Sequence, residues 1–350
     1  MTMLDEARPG MDPDTRPQDD LFGHVNGRWL ATEEIPSDRS SWGSGSKLTV
    51  QAEEQVRAII EECAATPDAE PGSPTKQIGD LWTSFMDEES IEARGAQPLE
   101  EDLATLAGID GKDQLVAFVG RLERAGMGGF FRSHVDTDDR DSDRYLVNVG
   151  QGGLGLPDES YYSDEKFAAI REAYVAHLGR FLGLAGYPDP EAAAARVLSV
   201  ETRLAEGHWE RAETRDVHKT YNLTTLDELK ALAPSFDWSG YVTAIGGSED
   251  TLAESIVRQP SFFEHLDTVL DEKSLEEWKA WTAVRIVRAA APYLSSAFVE
   301  ESFDFYGRSS PAPPSCGRGG SVASRSSRAA SARPSASCTS SDTSRRPARR

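Results

Sequence analysis

Six histidines and fifty-nine carboxylates are the residues of this chain that could hold a metal or move protons. The histidines are His24, His134, His177, His208, His218 and His265, and none is followed by Glu. A zinc helix of the HExxH type needs two His one turn apart on one helix face, with a Glu beside the first as base, so that motif is absent. "GHWERAE" comes nearest, but His208 and Glu210 fall on different faces of a predicted helix with no second His close by. It reads as capping or surface hydrogen bonding. The run Asp136, Asp138, Asp139, Asp141 and Asp143 lacks the Gly and terminal Glu of a calcium loop and reads as a hairpin connection.

Other chemistries are equally thin. No Ser stands in a G-x-S-x-G elbow, and nothing near Cys63 would activate a thiol, which reads as a small buried hydrophobe. "GQGGLGLP" could cradle an anion on its backbone N–H groups. A dinucleotide fingerprint, however, runs straight into a helix, and here Pro157 and "DESYY" follow. Glycines that let two backbones approach closely are the plainer reading. From the residues alone, no catalytic and no metal-ligating residue is assigned.

The elements that would position a site are mostly helical. Leu21, Phe22, Val25, Trp29 and Leu30 recur at helical spacing and predict a segment with one side buried. "EEIPSDRSSWGSGSK" is a loop, followed by a helix through Val50, Val56, Ile59 and Ile60. Ser73-Pro74 supplies a cap and a first-turn proline for the helix bearing Ile78, Leu81, Trp82 and Phe85. Two helices flank "GIDGKD", with Asp113 placed to cap the second. "FFRSHVDTD" and "RYLVNVG" alternate and predict one hairpin across "DDRDSD". A long helix from Asp164 to Leu184 carries Phe167, Ile170, Tyr174, Leu178, Phe181 and Leu182 as one stripe. Helices through "DPEAAAARVLSVETRLAEGHWERAE", "TLDELKAL" after Thr225, and "SLEEWKAWTAVRIVRAAAPYLSSAF" complete the body, with breaks at Pro260 and Pro292. The fold class is mainly α with one small β-hairpin.

Charge narrows the partners. The chain of 350 residues carries a formal −22, yet residues 309–350 hold eight Arg against the single Asp342, which leaves −29 on residues 1–308. Such a surface repels nucleic acid and anionic membrane. The opening "MTMLDEARPGMDPDTRPQDD" has no basic and apolar leader pattern, and three cysteines show no disulfide framework, so the expected compartment is the cytoplasm.

Five landmarks in order carry a resemblance. They are "DLFGHVNGRWLATEEIPSDRSSWGS", "IGDLWTSFMDEESIEARGAQPLEEDL", "VNVGQGGLGLPDESYY", "VETRLAEGHWERAETRDVHKTYNLTTLDEL" and "WKAWTAVRIVRAAAPYLSSAFVEESFDFYGR". Together they resemble the N-terminal half of the neprilysin and endothelin-converting-enzyme family of zinc endopeptidases. The resemblance implies a neprilysin-like helical lobe that helps enclose oligopeptide substrates. In that family the zinc helix, the further Glu ligand and the acid and base groups lie C-terminal to the matched residues, so none transfers here. Zinc is therefore the cofactor of the intact family, with none expected on this chain. The implied partners are an oligopeptide substrate and the missing C-terminal catalytic half. In the neprilysin branch an Arg after the Ile-Pro pair holds the substrate's terminal carboxylate. Ser41 stands at that position with Arg39 two residues away, and Arg39, Ser41 and Trp42 are the candidate substrate-binding residues. Gly45 stands where an aromatic is usual.

The domains read as a disordered 1–18, a neprilysin-like helical domain over 19–308, and a Ser/Arg/Ala/Pro tail over 309–350. The tail has no Leu, Ile, Phe, Tyr, Trp, Lys or Glu, a mixture expected from out-of-frame reading of a GC-rich gene. Shifted by one frame, suitable codons permit peptides resembling the family's continuation. The sequence thus predicts a metalloendopeptidase half that is inactive alone, whose surface toward the missing half includes Trp278, Trp281, Ile286 and Tyr293. The alternative is a non-catalytic helical peptide-binding protein with a basic disordered tail.

Overall fold

The structure, a computed structural model, describes residues 8–35 and 42–307, and the chain divides into two compact units, Met1–Asp87 and Glu88–Arg350. In the first unit, α1 (Leu21–Thr32) begins where Asp20 accepts from the Gly23 N–H at 2.8 Å, satisfying a donor that the helix start leaves unpaired. α2 (Ser44–Ala64) is followed by α3 (Pro74–Met86), opened by the Ser73 cap and Pro74 as the sequence predicts. The two helices meet at Gly79, where an added Cβ would lie 2.7 Å from the Cys63 carbonyl oxygen. Cys63 itself is half-buried.

Residues 8–18, within the stretch expected to be disordered, have partners. The Asp12 N–H donates to the His24 carbonyl at 2.8 Å, the His24 ring bonds the Thr15 carbonyl at 2.7 Å, and the Thr15 hydroxyl donates to Asp12 at 2.7 Å. Short polar side chains closing their own turns order this segment without burying apolar surface.

The predicted buried side of α1 is not found. Leu21, Phe22, Val25 and Leu30 are exposed, and Gly79 is the single buried residue among the described residues of this unit. Periodicity reports an apolar face but not whether anything covers it.

The second unit holds the core. Its helices are α4 (Glu88–Arg94), α5 (Glu100–Ala107), α6 (Lys112–Arg124), α7 (Ser160–Ser163), α8 (Ala168–Leu184), α9 (Pro190–Ala205), α10 (Leu226–Leu232), α11 (Trp238–Ala244), α12 (Pro260–Glu272), α13 (Leu275–Ala290) and α14 (Ser296–Tyr306). Asp113 lies inside the first turn of α6, and the N-cap is Gly111 without a side-chain bond. Pro260 opens α12, and Pro292 sits in a single 3-10 turn between α13 and α14. Thr225 and Glu228 form a reciprocal capping box on α10, as do Ser274 and Glu277 on α13.

α13 runs through the middle of this unit. Trp278, Trp281 and Ile286 are 0% exposed, against the expectation that they face a missing partner, and of the four named residues Tyr293 alone is exposed, at 48%. Nine of its sixteen residues, Lys279 among them, are buried, because α5, α6, α8 and α9 pack around it. Phe130 stacks on Trp281 at 5.2 Å and meets Trp278 edge-on at 5.3 Å.

The hairpin is present, with two further strands. β1 (Arg132–Asp138) pairs antiparallel with β2 (Asp141–Gly150), so the turn is Asp139-Arg140 and most of "DDRDSD" is strand. β3 (Leu223–Thr225) and β4 (Glu254–Val257) complete a sheet ordered β1-β2-β4-β3, with β4 parallel to β2. Three- and four-residue strands carry too little alternation to be legible in sequence.

Candidate functional site

Of the candidate substrate-binding residues, Arg39 and Ser41 lie outside the described residues. Trp42 is described, and its Nε1 donates to Glu33 Oε1 at 2.9 Å, an oxygen that also receives Lys47 Nζ at 2.6 Å. Glu33 caps the end of α1 and Lys47 sits in the first turn of α2, so the three side chains tie together the two ends of the loop between those helices. The Lys47 bond, then the Trp42 bond, holds the Glu33 carboxyl below its usual range. The Trp42 N–H is thereby committed within the chain.

The glycine-rich landmark is a structural hub. Gln151 donates from its backbone to Gln259 at 2.9 Å and exchanges two bonds with the Trp209 backbone at 2.8 and 3.1 Å. The Gly152 carbonyl meets His208 Nε2 at 2.8 Å, the Gly153 carbonyl accepts from Trp281 Nε1 at 3.0 Å, and the Gly155 carbonyl accepts from Arg288 at 3.2 Å. His208 lies past the end of α9, so the helical placement expected for "GHWERAE" does not hold, and its ring serves this turn. Glycine is required here by close approach. A Cβ on Gly152 would sit 2.8 Å from the Phe131 backbone, and one on Gly155 would collide with the Tyr174 hydroxyl. The Gln151, Gly155 and Leu156 N–H groups, the kind an anion would need, are taken by Gln259 and the Tyr162 hydroxyl, and the loop is packed backbone.

Beneath the hub lies a sealed polar cluster that sequence reading did not find. Tyr162 and Tyr174 both donate to Glu201 Oε2, at 2.8 and 3.0 Å, while the Tyr162 hydroxyl accepts from the Gly155 and Leu156 N–H groups at 3.1 and 2.9 Å. Burial raises the pKa of Glu201 against the opposing Arg285, and burial likewise pushes both tyrosines well up. Glu201 is 2% exposed, so no substrate reaches it, and it acts as a strut joining α9 to the turn. The guanidinium of Arg285 lies 3.9 Å from the Trp281 ring centroid, and burial lowers its pKa against the pull of Glu201. The only sequence trace of this cluster was the tyrosine pair in "DESYY" and the Glu in "VETRL".

No group of three or more His, Cys, Asp or Glu among the described residues could hold a metal ion. One ring nitrogen of each of four histidines is committed elsewhere, His24 to Thr15, His177 to Glu301, His208 to Gly152 and His265 to Arg203, and the second nitrogen of His177 is buried without a hydrogen-bond partner. These residues do not fit a zinc site. A surface cleft of about 470 Å³ is lined by Asp113, Lys230, Ser235, Asp237 and Trp238. Its polar groups serve the fold, since Asp237 caps α11 through Gly240 and the Ser235 N–H donates to Asp267 at 2.7 Å.

Comparison with known proteins places this architecture. The sequence profile described as peptidase family M13 matches residues 17–324. Endothelin-converting enzyme 1 of Rattus norvegicus is 27% identical over 312 residues, covering 84% of this chain and 39% of that protein. Neutral endopeptidase of Lactobacillus helveticus is 26% identical over 308 residues, covering 86% and 46%. The solved structure of zinc metalloprotease ZMP1 of Mycobacterium tuberculosis with an inhibitor is similar at TM-score 0.82 and 43% identity, over 91% of this chain and 49% of that one. The chain thus spans less than half the length of each relative. With the profile matched over most of its residues and the fold shared with a solved member, the chain belongs to peptidase family M13.

Proposed function

We propose that this chain is the N-terminal, substrate-enclosing part of a zinc metalloendopeptidase that hydrolyses oligopeptides. The observation that carries this reading is the 43% identity to a zinc metalloprotease over 91% of the chain. Zinc, when bound, polarises the scissile carbonyl and activates water, and the residues that hold it belong to the other half of the protein. This chain's own share is to shape the enclosure. Trp42 with Arg39 and Ser41 are the proposed contacts to the peptide, on the loop whose ends Glu33 and Lys47 tie together.

Residues 309–350 are proposed to be an out-of-frame ending, on their composition. The family match continues to residue 324, so the change of frame is sought between codons 308 and 324. The proposed compartment is the cytoplasm, on cysteine usage, and cell fractionation tests it. Among the described residues no helix is long and apolar enough to cross a membrane.

The test is to resequence the gene across those codons, restore the frame, and assay the product for zinc and for cleavage of a fluorogenic oligopeptide. A repaired chain that binds zinc and cleaves supports the proposal. A locus with no HExxH-encoding frame downstream ends it and leaves the non-catalytic peptide-binding protein with a basic tail.

A further inference from the structure

Arg285 and Arg288 stand three residues apart on α13, a spacing that makes side chains neighbours on one side of a helix. Arg285 is half-buried, with its guanidinium 3.9 Å from the Trp281 ring centroid, and Arg288 is exposed, with its guanidinium 4.6 Å from the Tyr306 ring centroid. Aromatic faces thus hold both side chains in place. Arg288 Nη1 reaches the Gly155 carbonyl at 3.2 Å, and Arg285 Nη1 lies 2.9 Å from where a Cβ on the exposed Gly128 would be. These glycines sit on two lengths of chain that run past each other, since Arg132 pairs antiparallel with Gly150 and an added Cβ on Gly152 or Gly153 would meet the Phe131 or Phe130 backbone. Two residues without side chains therefore flank the two guanidinium groups.

The charge of this pair is incompletely answered within the chain. Glu201 attracts both arginines and Glu123 also feels Arg285, but hydroxyl groups engage each carboxylate, Tyr162 and Tyr174 on Glu201, Ser133 and Tyr241 on Glu123. Burial raises the pKa of both carboxyls, which favours their neutral forms. Arg285 Nε is moreover buried with no hydrogen-bond partner among the described residues. A buried donor of this kind calls for an acceptor.

We propose that Arg285 and Arg288 form a binding site for the carboxylate of an acidic side chain, Asp or Glu, in a bound peptide. A guanidinium offers a planar fork of N–H donors that fits the two oxygens of a carboxylate, whereas an amide of the same shape brings a donor against donors and no charge. The inference rests on the reading of this chain as a peptide-enclosing part and adds a preference for acidic residues.

The experiment uses the full chain and three short alanine-rich probes, an acetylated peptide amide with one central Glu, its Gln counterpart, and the Gln peptide with a free terminal carboxylate. Calorimetric titrations are run for wild type, Arg288→Gln and Arg288→Lys, with thermal melts beside them. The Glu peptide is expected to bind wild type about tenfold or more tightly than the Gln amide. That preference is expected to shrink as salt is raised, to survive in part in Arg288→Lys, and to fall to about twofold or less in Arg288→Gln. Equal binding of the Glu and Gln amides to wild type overturns the inference, and this arm needs no variant to fold. Failure of all three peptides to bind overturns it too. So does a preference undiminished in an Arg288→Gln chain that melts like wild type, or tight binding of the free terminus alone. Should Arg288→Gln melt lower, Arg288→Lys carries the comparison, and a preference it leaves whole counts against the forked contact. The functional reading is judged separately, by zinc content and peptide cleavage of the frame-restored protein, so the two fail distinguishably.

Discussion

His177 Nδ1, on α8, donates a 2.7 Å hydrogen bond to Glu301 Oε1, on α14, and Arg180 grips the same carboxylate at 2.7 and 2.9 Å. The imidazole is fully buried and stacks on Phe305 at 4.7 Å. Burial lowers the His177 pKa against the opposing pull of Glu301, so the folded state holds this ring neutral. Burial pushes Glu301 up, but the Arg180 and His177 bonds outweigh it and leave that carboxyl lowered. The last described helix is therefore fastened to the core by a charge arrangement that acid disturbs.

His208 makes the pH dependence measurable. Burial takes its pKa from 6.5 to about 4. Above 6.5 both folded and unfolded states hold it neutral, while below 6.5 the unfolded state takes up a proton that the folded state refuses. Stability is thus lost as pH falls from 6.5 toward about 4. The full shift is worth about 3 kcal/mol, and partial exposure brings the expectation nearer about 2 kcal/mol. Thermal melts across that window are expected to be flatter for His208→Gln than for wild type. Parallel curves would show that the ring is not held neutral.

At Glu201 the prediction separates hydrogen bonding from charge. Glu201→Gln keeps an oxygen to accept from Tyr162 and Tyr174 and is expected to cost about 1 kcal/mol or less. Glu201→Leu strands two buried hydroxyls and is expected to cost roughly 2 to 5 kcal/mol by urea denaturation. Equal losses in the two variants would mean that attraction to Arg285 dominates.

Gly152→Ala places a methyl group 2.8 Å from the Phe131 backbone, where no side chain can yield. A loss of roughly 2 kcal/mol or more is expected. Gly111→Ala, at the N-cap of α6 with nothing within 4 Å of the new Cβ, is the matched control. Ala is a poorer N-cap than Gly, so a cost of about 0.5 to 1 kcal/mol is expected there, below that of Gly152→Ala.

Trp278→Ala is expected to remove roughly 3 to 5 kcal/mol, because the side chain is wholly enclosed and its neighbours close only partly over the gap. Tyr293→Ala, at the half-exposed end of the same region, is expected to cost less than about 1 kcal/mol. Similar melting of the two variants would return Trp278 to the surface.

The helices were legible where capping and periodicity agree, as at Ser73-Pro74, at Thr225 with Glu228, and along Tyr174, Leu178 and Phe181. What stayed illegible depends on distant partners. The stripe of α1 looks the same whether covered or bare, and α13 looks like a surface helix until α5, α6, α8 and α9 surround it. The Glu201 cluster joins residues 27 and 39 positions apart, so no local spacing announces it. Of the three proposed peptide contacts, Trp42 is placed by a carboxylate that motif reading did not consider, and Arg39 and Ser41 lie outside the described residues.

The parallel pairing of β2 with β4 joins Val149 to Val257. During synthesis five helices, α7 to α11, and β3 separate β2 from β4, so this sheet cannot close until more than a hundred further residues have emerged. Throughout that interval one edge of β2 has no partner, with Val147, Asn148 and Val149 waiting for Ser255, Ile256 and Val257. A nascent chain with an open strand edge can pair wrongly with other chains in ways the finished sheet no longer permits.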